Sequence, residues 1–336
     1  MHSDTMTNEQ LAGQRLMVGF EGTALNEDLK YLISHLKIGG VILFAINIES
    51  PEQIKDLCRS IQDCARTCQQ PPLVIAVDQE GGQVARLKEP FTIFPGNPHM
   101  KSEEDAVNFA EITAAELNQV GINMNMAPVM DVSAEDSGGI MAERTFGSNP
   151  TWVSRLGVMV IKHLQLNNIM AVAKHFPGIG RTTLDSHLDM PVLHDDLSMM
   201  EDFDLIPFEA GIHSGVSGVM LSHIFYTQLD PLWPASLSPQ IAKNLLREQM
   251  GFKGLVLTDD LDMGAITKHY DMHTAIHQIL AADIDLTLIC HKGPGIEIAF
   301  EEILKEITDS PAMKTRGIES VERIMAAKRK YIGMPN

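Results

Sequence analysis

Short apolar runs recur along the whole chain, and a stretch with apolar residues at helical spacing follows most of them. We predict eight strands from these runs, at residues 16–20, 40–44, 73–77, 122–129, 169–173, 218–222, 254–258 and 283–289. The clearest amphipathic stretches between them cover 51–68, 102–119, 151–167, 205–213 and 239–250. Continuous apolar strands that alternate with helices are typical of a parallel sheet covered on both faces.

Eight strand–helix units in 336 residues match an α/β fold of the (β/α)8 barrel type. An open, doubly wound sheet is the competing architecture. No GxGxxG or P-loop pattern follows any predicted strand, which removes the usual reason to prefer that sheet. No linker or low-complexity tract divides the chain, so we predict a single catalytic TIM-type barrel domain over residues 1–336.

Charge and hydropathy narrow the choice of partners and compartment. Lys+Arg 26 against Asp+Glu 44 gives a net charge of −18, which disfavours nucleic acid and anionic membranes as partners. No apolar run reaches the roughly 20 residues of a membrane span. The N-terminus MHSDTMTNEQ lacks the layout of a secretory signal. The four cysteines show no disulfide pattern, and we expect them to be buried free thiols. We therefore expect a cytoplasmic protein, and we also expect it to be monomeric.

Ionisable or polar residues follow six of the eight predicted strands. Barrel enzymes place their chemistry at the C-terminal ends of the strands, so these positions are candidates for an active site. They include Asp78, Asp131, Lys174, His175, His223, Asp259, Asp260 and His291. A barrel that needed only packing would not require charged groups there.

The segment after the fifth predicted strand reads AKHFPGIGRTTLDSH, residues 173–187. Lys174 and His175 at the strand end are suited to gripping a polar ligand. Asp185 and His187 lie two residues apart, so the carboxylate can accept from one imidazole nitrogen and leave the other facing a cleft. The alternative is an Asx-turn with a solvent-facing histidine.

Other strand-end residues also allow more than one role. Asp259 could be a nucleophile, a base, a metal ligand or a helix cap, although Asp260 or Asp262 could provide that cap. Arg86 and Arg144 follow other strands and could bind anions or hydroxyls, or be ordinary surface arginines. A metal site is the main rival, and it would use His175, Asp185, His187, His223 and Asp259. The lysine beside His175 and the lack of an H-x-H pattern at the first strand argue against it, so we expect no metal and no cofactor.

Two motifs are specific enough to indicate a family. Residues 245–262, LLREQMGFKGLVLTDDLD, resemble the active-site signature of glycoside hydrolase family 3. Residues 173–187 resemble the loop of one branch of that family, the single-domain β-N-acetylhexosaminidases of the NagZ type. The segments VDQEGGQVARL, APVMDV and RTFGSNP also match that branch in the family's order. The resemblance covers residues 10 to 330 approximately.

The resemblance implies a (β/α)8 barrel that releases terminal N-acetylglucosamine with retention, through a covalent glycosyl-enzyme. The implied substrate is a small cell-wall muropeptide fragment that carries GlcNAc on 1,6-anhydro-N-acetylmuramic acid, as in peptidoglycan recycling. Asp259 would be the nucleophile, and His187, oriented by Asp185, would be the general acid/base. The implied sugar-binding residues are Asp78, Arg86, Arg144, Lys174 and His175. An imidazole suits the acid/base role because its ordinary pKa lies near 6.5.

Two positions depart from the family pattern. Ile179 stands where the family reads PGHG, and Gln83 stands where it often has arginine. Ile179 removes a polar group from the loop of Asp185 and His187, so a weakened paralogue that binds amino sugars is one alternative. A neutral acid/base would also admit phosphate, which makes an N-acetylglucosaminide phosphorylase another. A family 3 β-glucosidase would need a glutamate from a second domain, for which this chain has no room.

Overall fold

The computed structural model describes residues 3–133, 141–182, 184, 186 and 188–333, apart from the side chain of Asp4. Eight parallel strands close into a barrel, and each strand pairs with its neighbours in sequence. The strands are β1 (Leu16–Val18), β2 (Gly40–Leu43), β3 (Val74–Val77), β4 (Met124–Asn125), β5 (Met170–Phe176), β6 (Gly218–Leu221), β7 (Leu255–Asp260) and β8 (Leu286–Ile289). The predicted TIM-type (β/α)8 barrel and its eight strand positions are confirmed.

Helices cover the outside of the barrel. They are α1 (Asn8–Gly13), α2 (Glu27–Ser34), α3 (Pro51–Thr67), α4 (Glu103–Val120), α5 (Pro150–Leu166), α6 (Leu197–Glu201), α7 (Leu205–His213), α8 (Gly264–Thr267), α9 (Met272–Ala281), α10 (Gly295–Asp309) and α11 (Pro311–Ile332). Gln240–Gln249 is a π-helix where the sequence predicts an ordinary helix. No described helix is both long and apolar enough to span a bilayer.

Capping residues explain where the longer predicted helices begin. Ser50, Ser102 and Asn149 each accept a hydrogen bond from the backbone N–H three residues on, which satisfies one unpaired donor of the first turn. Proline follows Ser50 and Asn149 at the first helical position, where its missing N–H costs nothing. These local signals agree with the amphipathic pattern.

The bounds of every barrel strand differ somewhat from their predictions, and the differences are largest at β4 and β5. The apolar run 122–129 contributes only Met124–Asn125 to the ladder, and Pro128, which has no N–H to donate, limits its extension toward the carboxyl end. The chain nevertheless stays beside β5, since Val129 forms an isolated bridge with Lys174. In turn, β5 extends through Phe176 and carries Lys174 and His175 within the strand. This places both side chains at the carboxyl end of the barrel.

The four cysteines are free thiols, as predicted. Cys58 and Cys290 are buried, whereas Cys64 and Cys68 are only half-buried, so the prediction of burial is wrong for these two. Burial raises the pKa of Cys58 to about 12. This thiol is therefore not a nucleophile at neutral pH.

Candidate active site

A cavity of about 340 Å³ opens at the carboxyl ends of the barrel strands, a volume within the range of small-molecule sites. Six residues that the sequence predicts as site residues line it together: Asp78, Arg86, Arg144, Lys174, His175 and Asp259. Asp185 and His187 lie outside the described residues. Ser186, between them in the chain, does line the cavity. The residues selected from four separate loops therefore meet at one place.

Lys174 joins two carboxylates on one wall of this cavity. Its Nζ lies 2.7 Å from Asp78 Oδ1 and 2.7 Å from Glu80 Oε1, and the lysine is almost fully buried. Burial raises the pKa of Asp78, but the charges of Lys174 and Arg86 outweigh this effect and lower the pKa to about 2. Burial also lowers the pKa of Lys174, and the two carboxylates raise it by more. Burial raises the pKa of Glu80 as well, but Lys174 and Arg144 lower it by more, so Asp78, Glu80 and Lys174 are all charged at neutral pH.

Arg144 makes a two-pronged ion pair with Glu80. Its Nε lies 2.9 Å from Oε2, and its Nη2 lies 2.7 Å from Oε1. Such fork–fork pairs fix the plane of the guanidinium as well as its position. Glu80 was not among the predicted site residues. Its place two residues after Asp78, just beyond the end of β3, was the available signal.

Asp131 fixes the ring of His175. Its Oδ2 accepts from the His175 backbone N–H at 3.1 Å and lies 2.8 Å from His175 Nδ1. This contact favours the tautomer with the proton on Nδ1, which leaves Nε2 facing Arg144 Nη2 at 3.5 Å. Asp131 is fully buried and orients His175. It follows a predicted strand but was not among the predicted site residues.

Arg86 has a donor to spare. Its Nη2 lies 3.3 Å from Asp78 Oδ2, and its guanidinium lies 5.5 Å from the centre of the Phe44 ring. Its Nε is buried and has no hydrogen-bond partner among the described residues. Unsatisfied buried donors are rare in folded proteins, and this one belongs to a residue that lines the cavity.

Asp259 lies at the end of β7 and lines the same cavity. Its Oδ1 accepts the Asp260 backbone N–H at 2.8 Å; no contact within the described residues engages Oδ2. The next carboxylate is turned toward the backbone: Asp260 Oδ1 accepts from Asp262 N–H at 3.0 Å and from Cys290 N–H at 2.9 Å. Burial is the main cause that raises the pKa of Asp260 to about 6.

The predicted capping role of Asp260 or Asp262 is wrong. Helix α8 begins at Gly264, and its N-cap is Met263, which makes no side-chain cap. Asp260 holds the backbone at Asp262 and Cys290, while Asp262 Oδ2 accepts the His291 backbone N–H at 2.8 Å. Both carboxylates instead tie the end of β7 to the end of β8.

The start of the 173–187 segment is held tightly. Asp131 Oδ1 accepts the Ile179 backbone N–H at 2.8 Å, and the Ile179 side chain is buried in the cavity wall. A Cβ on Gly180 would lie 2.0 Å from the carbonyl oxygen of Val132, so only glycine fits there. Neither contact depends on a polar side chain at position 179.

The metal site considered from the sequence is not supported at His223. Its Nδ1 lies 2.7 Å from Ser236 Oγ, and its Nε2 lies 2.8 Å from the Asp260 carbonyl oxygen, so both ring nitrogens are occupied. Within the described parts of the chain, the set that could hold a cation is Asp260, Asp262 and His291, whose ligand atoms lie within 4.8 Å of one another. Their carboxylates already accept backbone N–H groups, which accounts for their arrangement.

A closed (β/α)8 barrel with a charged cavity at the carboxyl ends of its strands is the arrangement of barrel enzymes. The family model described as the glycosyl hydrolase family 3 N terminal domain matches residues 7–327. The chain belongs to this family. The resemblance inferred from its motifs is confirmed.

Curated relatives of this chain are named β-hexosaminidases. The chain is 33% identical to Beta-hexosaminidase A of Pseudoalteromonas piscicida, with 96% of the chain and 60% of the relative covered. It is 35% identical to the Beta-hexosaminidase of Nitrosomonas eutropha, with 82% and 80% covered. The chain therefore spans about 60% of the length of the first of these relatives.

Solved structures give the same picture. A family 3 β-N-acetylglucosaminidase from Paenibacillus sp. superposes with a TM-score of 0.94 at 33% identity, with 99% of this chain and 64% of that chain covered. NagZ from Neisseria gonorrhoeae, in complex with N-trifluoroacetyl-D-glucosamine, superposes with a TM-score of 0.75 at 27% identity. That comparison covers 90% of this chain and 95% of the other.

Proposed function

We propose that this chain is a retaining exo-β-N-acetylglucosaminidase with Asp259 as its nucleophile. The observation that carries the proposal is the position of Asp259, at the end of β7, in one cavity with a fixed cluster of charged hydrogen-bonding groups. The names of its relatives, β-hexosaminidase and β-N-acetylglucosaminidase, support the same activity. We also propose that residues 1–336 form a single catalytic barrel domain.

The charged cluster suits a sugar ring that must be bound through its hydroxyls. Asp78 offers carboxylate acceptors, and Lys174, Arg86 and Arg144 offer donors whose positions are fixed by ion pairs. Arg86 and Arg144 both line the cavity, so their guanidinium groups flank the space that a sugar would occupy. His175, held by Asp131, presents Nε2 toward the same wall. A preorganised set of this kind binds a polyol with little reorganisation.

In the proposed mechanism, an Asp259 carboxylate oxygen attacks the anomeric carbon as His187 protonates the departing oxygen. The C–O bond to the aglycone breaks, and a glycosyl ester with Asp259 forms. His187 then removes a proton from water, which attacks the same carbon and releases the Asp259 carboxylate. Two inversions give net retention. Asp185 accepts from the other imidazole nitrogen of His187 and keeps the required tautomer.

Ile179 does not argue against turnover. Its backbone N–H is bound by Asp131, so the loop start keeps its place without a polar side chain at this position. We therefore favour hydrolysis over a weakened paralogue that only binds amino sugars. Asp259 itself is retained, which a binding-only protein would not require.

The proposed substrate is a muropeptide fragment that carries a terminal GlcNAc on 1,6-anhydro-N-acetylmuramic acid, and the proposed role is peptidoglycan recycling. The support is the NagZ-type loop together with the N. gonorrhoeae NagZ structure, which its name describes as binding N-trifluoroacetyl-D-glucosamine. We also propose a cytoplasmic monomer. A net charge of −18 makes copies of the chain repel one another.

The test compares p-nitrophenyl β-glycosides of GlcNAc and of glucose, each with and without phosphate. We expect release of p-nitrophenol from the GlcNAc glycoside at least about a hundredfold faster, with free GlcNAc as the product in phosphate buffer. A preference for glucose would overturn the proposed specificity. Accumulation of GlcNAc-1-phosphate would show a phosphorylase instead. Tight GlcNAc binding with no product after hours would favour the binding-only paralogue.

A further inference from the structure

Described residues in and just after the 173–187 segment are held by contacts with two different parts of the chain. On the near side, Tyr226 Oη donates to the Gly178 carbonyl at 2.8 Å, and Arg181 pairs with Asp195 at 2.8 Å and with Asp204. Asp204 is fully buried against Gly178. These contacts hold the start of the loop from elements that do not carry the proposed nucleophile.

The far side is fixed by the segment that follows Asp259 in the chain. The Ala265 backbone N–H, at the start of α8, donates to the Ser186 carbonyl at 3.1 Å. His269 Nε2 lies 2.8 Å from Asp189 Oδ1. Both contacts join residues about 80 positions apart in sequence. Ser186 and Asp189 are therefore docked on residues 265–269.

We propose that His269, through Asp189, and the backbone N–H of Ala265 are positioning groups that set the acid/base loop against the strand of the nucleophile. This inference rests on the proposed function, in which His187 is the acid/base and Asp259 the nucleophile. His187 is covalently bonded to Ser186 and lies two residues from Asp189, so docking these residues restricts where it can go. Residues 265–269 follow Asp259 closely in the chain, and Met263, which lies between them, lines the cavity.

The effect should appear mainly in proton transfer. A general acid must reach the departing oxygen within hydrogen-bond distance, and small misplacements lower rates strongly. Sugar binding relies on Asp78, Arg144 and Lys174, which this docking does not touch. Removing these contacts should therefore leave KM nearly unchanged and lower kcat. The fall in kcat should be larger for substrates whose leaving group needs protonation.

The experiment compares His269→Ala with His273→Ala in the full chain. His273 is a matched control, because its Nδ1 also pairs with a carboxylate, Glu302, at 2.9 Å, on helix α9 away from the loop. For a GlcNAc–GlcNAc disaccharide, whose leaving group is poor, we expect His269→Ala to lower kcat about two- to fivefold, the size of an exposed ion pair. For the p-nitrophenyl glycoside we expect less than a twofold change. His269→Gln, which retains a side-chain N–H donor, should restore most of the loss.

A second variant addresses the backbone contact. Ala265→Pro removes the donor to Ser186 at the first turn of α8, a position where proline is tolerated. We expect Ala265→Pro to lower kcat for the disaccharide about tenfold, a larger loss than for His269→Ala, and to affect the p-nitrophenyl glycoside much less. Its unfolding midpoint should stay near that of the wild type. If Ala265→Pro does not fold, His269→Ala and His269→Gln alone decide the question.

The outcomes separate the two proposals. A wild-type protein that cleaves neither substrate refutes the proposed function, and the positioning role falls with it. A wild-type protein that cleaves both, with His269→Ala indistinguishable from His273→Ala, refutes only the positioning role. Equal losses on both substrates for His269→Ala would also overturn it, because a general structural defect explains that result.

Discussion

Replacing Asp260 by asparagine should stabilise the protein at neutral pH. Asp260 lies beside Asp259 with only 14% of its side chain exposed. Burial, with further contributions from Asp262 and Asp259, raises its pKa from 3.8 to about 6. Between these values the folded state binds more protons than the unfolded state, so stability falls as pH rises from about 4 to about 6. The ionised carboxylate therefore costs stability at neutral pH.

The magnitude follows from the shift in pKa. The rise in the pKa of Asp260 from 3.8 to about 6, at roughly 1.4 kcal/mol for each tenfold change in proton affinity, lowers the free energy of unfolding by about 3 kcal/mol at pH 7.5. At pH 5 the reduction is about half as large. Asparagine does not titrate, and its side-chain oxygen can still accept from Asp262 and Cys290. Near 2.1 cal/mol/K per residue, 336 residues give an unfolding entropy of about 0.7 kcal/mol/K, so 3 kcal/mol corresponds to about 4 °C.

The assay is denaturant unfolding of wild type and Asp260→Asn at pH 5 and pH 7.5, with the thermal midpoint as a second measurement. Asp262→Asn is the control, because it removes a charge from the same turn at a side chain that is more exposed. We expect Asp260→Asn to raise the free energy of unfolding, and this increase should be about twice as large at pH 7.5 as at pH 5. The increase for the Asp262→Asn control should be smaller. A gain that is equal at both pH values, or a loss at pH 7.5, would refute the reasoning.

Three further predictions concern other buried or reacting groups. Lys174→Met should lower the free energy of unfolding by about 3–5 kcal/mol, because it leaves Asp78 and Glu80 buried without their amine partner. It should also abolish glycoside turnover. A free energy of unfolding near that of the wild type would contradict this prediction. Lys328 is fully buried, and burial lowers its pKa from 10.5 to about 7. Below pH 7 the charge on Lys328 therefore costs up to about 5 kcal/mol of folding stability. This cost disappears as the pH rises from 7 to 10.5. Lys328→Met should therefore stabilise the protein at pH 6. At pH 11 it should destabilise the protein, because it then mainly removes the hydrogen bond to Gln14 Oε1 at 2.7 Å. The absence of such a reversal in urea unfolding would be evidence against a charged, buried lysine at pH 6. His187→Ala should slow cleavage of a GlcNAc–GlcNAc disaccharide at least tenfold more than cleavage of the p-nitrophenyl glycoside, and equal losses would count against its acid role.

The barrel could be predicted because its signals are local. Each strand is a short apolar run, and capping residues such as Ser50 and Ser102 mark helix starts directly in the sequence. The shortening of β4 also had a local cause, Pro128. The π-helical form of Gln240–Gln249 had no such signal, because an amphipathic pattern does not distinguish it from an ordinary helix.

The site was only partly predictable because its geometry depends on distant partners. Position after a strand was enough to select Asp78, Lys174 and Asp259. Nothing local indicates that Glu80 binds Lys174, 94 residues away, at 2.7 Å, or that Asp131 orients His175. The error at Asp260 has the same origin, since its hydrogen bond to the Cys290 backbone competes with a capping role that the local sequence allows.

The most direct test of the central claim is the rate of p-nitrophenol release from the GlcNAc β-glycoside by Asp259→Ala. The substitution removes the proposed nucleophile but leaves the Asp78, Lys174 and Glu80 cluster in place. We predict a fall in kcat of at least about a thousandfold with an unchanged far-ultraviolet circular dichroism spectrum and retained GlcNAc binding. Activity near that of the wild type would contradict the assignment of Asp259 and, with it, the proposed mechanism.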